Sequence, residues 1–92
     1  MPKIVQLAKA NDSVHKWVAT FDTGKKTKFG AVGYEDYTQH KDAVRRERYR
    51  ARHKKDLRTN DPTRPGFLSF FVLWGPSTSI EQNVKEFIRQ FG

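Results

Sequence analysis

Ninety-two residues suffice for one small domain, residues 1–92, with a radius of gyration of roughly 12 Å, and the absence of cysteine removes disulfides and thiolate metal sites. Lys and Arg number 18 against 10 Asp and Glu, a net +8, while hydrophobic residues make up 36% and aromatics 13%; a small core must then be built from large side chains, and that aromatic share argues against disorder. The longest near-apolar run, Phe67 to Trp74, is far short of the ~20 residues a spanning helix needs, and MPKIVQLAKAN lacks a signal-peptide core, so a multidomain enzyme, a disulfide scaffold and a membrane-spanning protein are excluded, and no membrane partner is expected.

In chain order, Lys3 to Lys9 is β-prone and predicts a strand, and Asn11-Asp12-Ser13 a turn. His15 to Phe21 alternates, with Trp17, Ala19 and Phe21 on one face, the period of a half-buried strand. Asp22-Thr23-Gly24-Lys25 reads as the turn into a returning strand, Lys26 to Ala31, with Thr27, Phe29 and Ala31 on one face. Asp36 and Gln39 have capping-box spacing and predict a short helix near 36–41; Asp42 can cap a second helix through about Lys55. Prolines make residues 59–66 a loop. Phe67 to Trp74 suits a buried strand or a short buried helix by pattern alone. From Thr78 or Ser79 onward, Ile80, Val84, Phe87, Ile88 and Phe91 make one apolar stripe on a closing helix.

The charge is concentrated. Residues 40–58 carry nine cations against Asp42, Glu47 and Asp56, a net +6. Surface charge that served only solubility would be spread more evenly, whereas a focused patch steers polyanions. On one helix, Lys41, Arg45, Arg48, Arg52 and Lys55 recur at spacings of 4, 3, 4 and 3 and form a stripe roughly 21 Å long within about 80° of arc. Arg46, Arg50, His53 and Lys54 form a second cationic zone. Val44 and Ala51, with Ala43 beside them, offer the apolar face, and Tyr49 projects near the edge of the main stripe. Arginine suits phosphate bidentately, so Lys41, Arg45, Arg46, Arg48, Arg50, Arg52, Lys54 and Lys55 are the candidate contacts to DNA or RNA, with Lys25, Lys26 and Lys28 as an extension. Nothing in the pattern reads bases. The competing readings are a surface for an acidic host or viral protein, and a solvated helix whose arginine stems cover apolar neighbours. The basic run also has the composition of a nuclear-import signal.

No nucleotide loop, nucleophile elbow or cofactor motif is present, so no cofactor and no enzymatic activity are expected. His40-Lys41-Asp42 with His53, Asp36 and Asp56 loosely suggests a metal-dependent nuclease. His40 and His53 would stand ~220° apart on a continuous helix, so local capping is the simpler role and no metal site is assigned. Tyr34 and Tyr37 read as packing anchors with hydrogen-bonded hydroxyls in preference to base-stacking platforms.

The run Lys28-Phe29-Gly30-Ala31-Val32-Gly33-Tyr34-Glu35-Asp36-Tyr37-Thr38-Gln39-His40-Lys41-Asp42, followed by Arg45-Arg46, Tyr49 and Arg52-His53, resembles a family of small basic proteins of large double-stranded DNA viruses of the marseillevirus and mimivirus kind and their algal-virus relatives. Leu68-Ser69, Leu73-Trp74, Pro76, Ser77 and Ile80 match its second half. Ala43 stands where many relatives have proline, a residue at home in the first helical position, which supports Asp42 as an N-cap. Relatives carry polar residues between the Leu-Ser and Leu-Trp pairs, which favours a helix for 67–74. The resemblance implies a virion-associated viral protein acting in the host nucleus or cytoplasm, and its span over nearly the whole chain implies a complete small protein; it implies no biochemical activity. The expected fold is α+β: a small N-terminal antiparallel sheet (about 3–31) packed against three to four C-terminal helices. The core is to be Ile4, Leu7, Trp17, Ala19, Phe21, Phe29, Tyr37, Leu68, Phe71, Val72, Trp74, Ile80, Val84, Phe87, Ile88 and Phe91, with leftover aromatic surface suited to a homodimer.

Overall fold

The computed structural model describes residues 3–91. Three antiparallel strands, β1 (Ile4–Lys9), β2 (His15–Phe21) and β3 (Lys26–Ala31), lie in the order β1-β2-β3. The last two have the bounds their alternation predicted; β1 begins one residue later. Ile4 and Leu7 are three apart, so a regular strand would turn them to opposite faces. A register shift between Ile4 and Gln6 corrects this, pairing Ile4 with Phe21 and Leu7 with Ala19. In the hairpin Trp17 pairs with Phe29 and Ala19 with Thr27, which gathers the apolar side chains on one face.

The rest is helical, and the fold is α+β. The short helix α1 (Tyr37–His40) begins at Asp36, where the capping box with Gln39 forms as predicted. Lys41 then takes a left-handed conformation, and Asp42 caps α2 (Ala43–His53) by accepting from the N–H groups of Val44 and Arg45. Beyond His53 the chain tightens into a 3₁₀ helix, Lys54–Thr59. The ambiguous aromatic segment is helical: α3 (Pro65–Leu68) runs into a π-helical turn (Ser69–Leu73) closed by Trp74 N–H donating to the Ser69 carbonyl at 3.0 Å. The closing helix α4 (Ile80–Phe91) is capped by Ser79, whose Oγ accepts from Gln82 N–H.

The sheet contributes Ile4, Ala19, Phe21 and Phe29 to a core completed by Phe67, Leu68, Val72, Leu73, Trp74 and Phe87. Leu7, Trp17, Tyr37, Phe71, Ile80, Val84, Ile88 and Phe91 pack on its rim, only half-buried. Phe67, Phe70 and Leu73 are buried although the sequence did not single them out. Their helix is enclosed on nearly all sides, so no polar face marks its orientation. Two close approaches fix it. Gly30, at φ 79°, would place a Cβ 2.9 Å from Leu73 Cδ1, and a Cβ on Gly75 would fall 2.1 Å from the Phe71 carbonyl oxygen. Asn83, 1% exposed, accepts from Ser77 N–H and donates to the carbonyls of Val72 and Ser77, tying α4 to the π-helical turn. The Cα radius of gyration is 12.2 Å.

Candidate nucleic-acid interface

The polar motif between β3 and α2 is first of all a fastening. Asp36 is 3% exposed; its carboxylate takes Thr38 N–H, the Thr38 hydroxyl and, at 2.9 Å, Lys16 Nζ from β2. Lys16 also donates to Gln39 Oε1 and to the Tyr34 carbonyl. His40 Nδ1 accepts from Asp42 N–H at 2.9 Å, which puts a neutral ring's proton on Nε2; that nitrogen is buried without a hydrogen-bond partner, and the ring tilts against Trp74. Trp74 stacks on Tyr49 (centroids 4.1 Å apart, 5° between planes), and Tyr49 stacks in turn on His53. Tyr37, His40, Trp74, Tyr49 and His53 thus form an aromatic column beside α2. Burial first, then the charges of Asp56 and Asp36, push the Tyr49 phenol up to about 12.

The column explains how α2 docks with no fully buried residue of its own. The apolar face expected of it is turned outward: Val44 is 60% exposed, and Ala43 and Ala51 are exposed as well. Two arginines do the docking with Tyr49. The last carbonyls of the α3–π segment lack helical partners, and α2 supplies donors to them. Arg50 Nη1 donates to the Phe70 carbonyl at 3.2 Å and to the Trp74 carbonyl at 2.7 Å, with its guanidinium 4.0 Å from the Phe70 ring centroid. Arg46 Nε donates to the Gly75 carbonyl at 2.7 Å, its Nη1 meets Glu47, and its guanidinium lies over Tyr37. Burial, then neighbouring Arg46, lowers the Arg50 pKa. Cations at a helix C-terminus are favourable electrostatically as well.

The second zone drawn from the sequence therefore divides. Arg46 and Arg50 are engaged, His53 is stacked and meets Asp56 at 3.2 Å, and Lys54 alone is exposed. The main stripe is shorter than a continuous helix would make it. Lys41 sits in the left-handed residue before α2, and Lys55 lies in the 3₁₀ helix. Arg45, Arg48 and Arg52 remain together on α2, all exposed, and among the described residues no carboxylate pairs with them. They span about 10 Å of helix and line one side of a cleft of about 940 Å³, whose floor includes Leu73, Trp74 and Tyr49 and whose other side is formed by Lys16, Gly30, Ala31 and Tyr34 to Asp36.

The hairpin lysines stand elsewhere. Lys25 Nζ donates to Thr63 Oγ1, and Lys28 pairs with Asp12 at 3.0 Å. Lys26 and Lys28 alternate with buried Thr27 and Phe29, so they face away from the helical layer, and none of the three lines the cleft. Hydrogen bonds from His15 N–H, then Lys28, then Val14 N–H hold the Asp12 carboxyl far below the usual carboxylate range. His40 and Asp42 serve the turn and cap into α2. Among the described residues, no three His, Asp or Glu side chains gather where they could hold a metal ion, and no helix is long and apolar enough to cross a membrane. Tyr37 packs on the core as expected, but Tyr34 does not: it is 76% exposed. Its place between Gly33 and Glu35, outside any apolar period, was the signal for that.

These features define a small three-stranded meander with an arginine helix fastened across its helical layer. Residues 5–53, from β1 to the end of α2, match the model of a family of unknown function, DUF5754, and the chain belongs to that family. No curated protein and no solved structure matches it.

Proposed function

We propose that this chain binds nucleic acid largely independently of sequence, through Arg45, Arg48 and Arg52 with Lys41, Lys54 and Lys55 at the flanks. The observation that carries the reading is the sorting of α2's cations. Arg46 and Arg50 are taken up by backbone carbonyls, whereas Arg45, Arg48 and Arg52 stand exposed on one face without an acidic partner among the described residues. Arginines one helical turn apart can engage successive phosphates. The family resemblance adds the setting: a viral accessory protein carried in the particle and acting in the host nucleus or cytoplasm. No enzymatic step is assigned to the chain.

A binding titration on a duplex at several salt concentrations tests this. Four or five phosphates engaged give a slope of log K on log salt near −4, and replacing Arg45, Arg48 and Arg52 with Gln reduces it by about 2.7, equally for unrelated sequences. A flat response, or capture of an acidic protein that survives nuclease and high salt, would overturn the reading in favour of a protein-interaction module.

A further inference from the structure

We infer that the cleft beside α2 is built for single-stranded nucleic acid, with an unpaired base laid on Tyr34 while Arg45, Arg48 and Arg52 hold phosphates; this rests on the nucleic-acid reading above and sharpens it.

Tyr34 is a large aromatic ring left 76% exposed at the edge of a cationic cleft. Its ring is free but its backbone is not. The Tyr34 carbonyl accepts from Lys16 Nζ, its N–H bonds to the Ala31 carbonyl at 3.4 Å, and two residues later Asp36 is buried and bonded. A side chain presented on a fixed backbone loses little freedom on binding. The same cleft is lined by Arg45, Arg48 and Arg52 of α2, which have no carboxylate partner among the described residues. The facing wall holds Lys16, Glu35 and Asp36; Lys16 and Asp36 neutralise each other, which leaves three cations against the single carboxylate of Glu35. The floor is apolar where Leu73 and Trp74 lie. At about 940 Å³ the space is at the upper limit of small-ligand pockets and suits a strand segment.

The juxtaposition of a stacking ring, an apolar floor and a phosphate-binding wall is the arrangement single-strand binders use. A duplex keeps its base faces stacked inside and presents only phosphates and groove edges, so it can satisfy the arginines but not Tyr34. Tyr49 and Trp74 are not alternative platforms, because each already stacks in the column.

The test measures affinities of the full chain for a dT 12-mer, the same length of duplex and an abasic 12-mer, at one salt concentration. The wild type is expected to prefer dT over the abasic strand by about tenfold, the effect of one base stacked on an aromatic ring. Tyr34→Ala is expected to erase that preference while leaving duplex and abasic affinities and the circular dichroism spectrum unchanged; Tyr34→Phe retains it. Equal binding of dT and abasic strands by the wild type, or a Tyr34→Ala loss shared by all three probes, would overturn the cleft assignment and leave phosphate binding by α2 intact. Binding to none of the probes would overturn both.

Discussion

Arg46 and Arg50 stand one or two positions from Arg45, Arg48 and Arg52 on the same helix, yet the two sets meet different surroundings. The first reaches the carbonyls of Phe70, Trp74 and Gly75, at the end of a helix that has run out of internal donors. The second lines a cleft and, among the described residues, pairs with no carboxylate. Residue type and charge per residue are the same in both. What separates them is the 100° turn per residue, which aims one pair at an acceptor-rich helix end and the other three at solvent. A basic helix is therefore not one functional object: part of its charge can be structural, and only the remainder is available to a partner.

Arg50→Ala is the strongest way to break that comparison. It strips donors from two carbonyls at a helix end and removes a cation from the face of Phe70. Charged hydrogen bonds contribute roughly 1.5–3 kcal/mol each, and unsatisfied buried acceptors add to the loss. We expect destabilisation of about 3 kcal/mol in urea unfolding, with Lys restoring little because one ammonium cannot reproduce the planar fork. A loss no larger than that of Arg48→Ala would remove the distinction between the two faces.

Asp36→Asn comes next. It keeps an acceptor for the Thr38 N–H but leaves Lys16 without its carboxylate in a partly buried setting. The expected cost is about 2 kcal/mol, and the effect should reach the cleft, since Lys16 also anchors the Tyr34 carbonyl. Added salt should not reproduce this loss in the wild type, because a buried pair is poorly screened.

Much of the fold was legible because local rules and tertiary packing agree. Period-two alternation fixed β2 and β3, Asp36 and Asp42 announced their helices, and the stripe from Ile80 to Phe91 defined α4. The α3–π segment was harder, since a helix buried on nearly every side carries no amphipathic signal. Asn83 and Arg50 donate to carbonyls of this segment, contacts that no local pattern encodes. The same limit applied to the site. The sequence could place the arginines on a helix, but which of them would meet carbonyls depended on a partner segment about twenty or more residues away. The stacking of Tyr49 between Trp74 and His53 was hidden for the same reason. Tyr34 was the reverse case: an aromatic ring read as packing that the fold leaves outside.

Tyr49 supplies a pH-dependent measure of how firmly α2 is docked. Its phenol is pushed up to about 12, chiefly by burial, against about 10 in the unfolded chain. Between those values the unfolded chain releases this proton while the folded one keeps it, so the unfolded state binds fewer protons and stability falls as pH rises through that window. Below pH 10 both states hold the proton and the contribution is constant. Tyr49→Phe keeps the stack on Trp74 and removes the titration. Stability curves for the two proteins should run parallel up to about pH 10 and diverge above it, the wild type losing more. Parallel curves throughout would mean that the ring is solvated and α2 loosely held.

The smallest effect has the opposite sign. Arg45 lies in the first turn of α2, where a cation opposes the helix dipole, and it sits three positions from Arg48, which is four from Arg52. Like charges at these spacings each destabilise a helix by roughly 0.2–0.5 kcal/mol. If these arginines have no structural duty, Arg45→Gln with Arg48→Gln should raise stability by about 0.5 kcal/mol at low salt, and the gain should fade as salt screens the repulsion. Arg52 is left in place because it lies in the last turn, where the dipole favours it. The Arg46 and Arg50 face predicts the reverse for its own neutralisation. A double variant on the outer face that destabilised the protein by more than about 1 kcal/mol would mean that those arginines, too, hold the fold together, since surface substitutions without partners stay within about 0.5 kcal/mol. A small gain that disappears with salt would leave binding as the remaining reason for their charge.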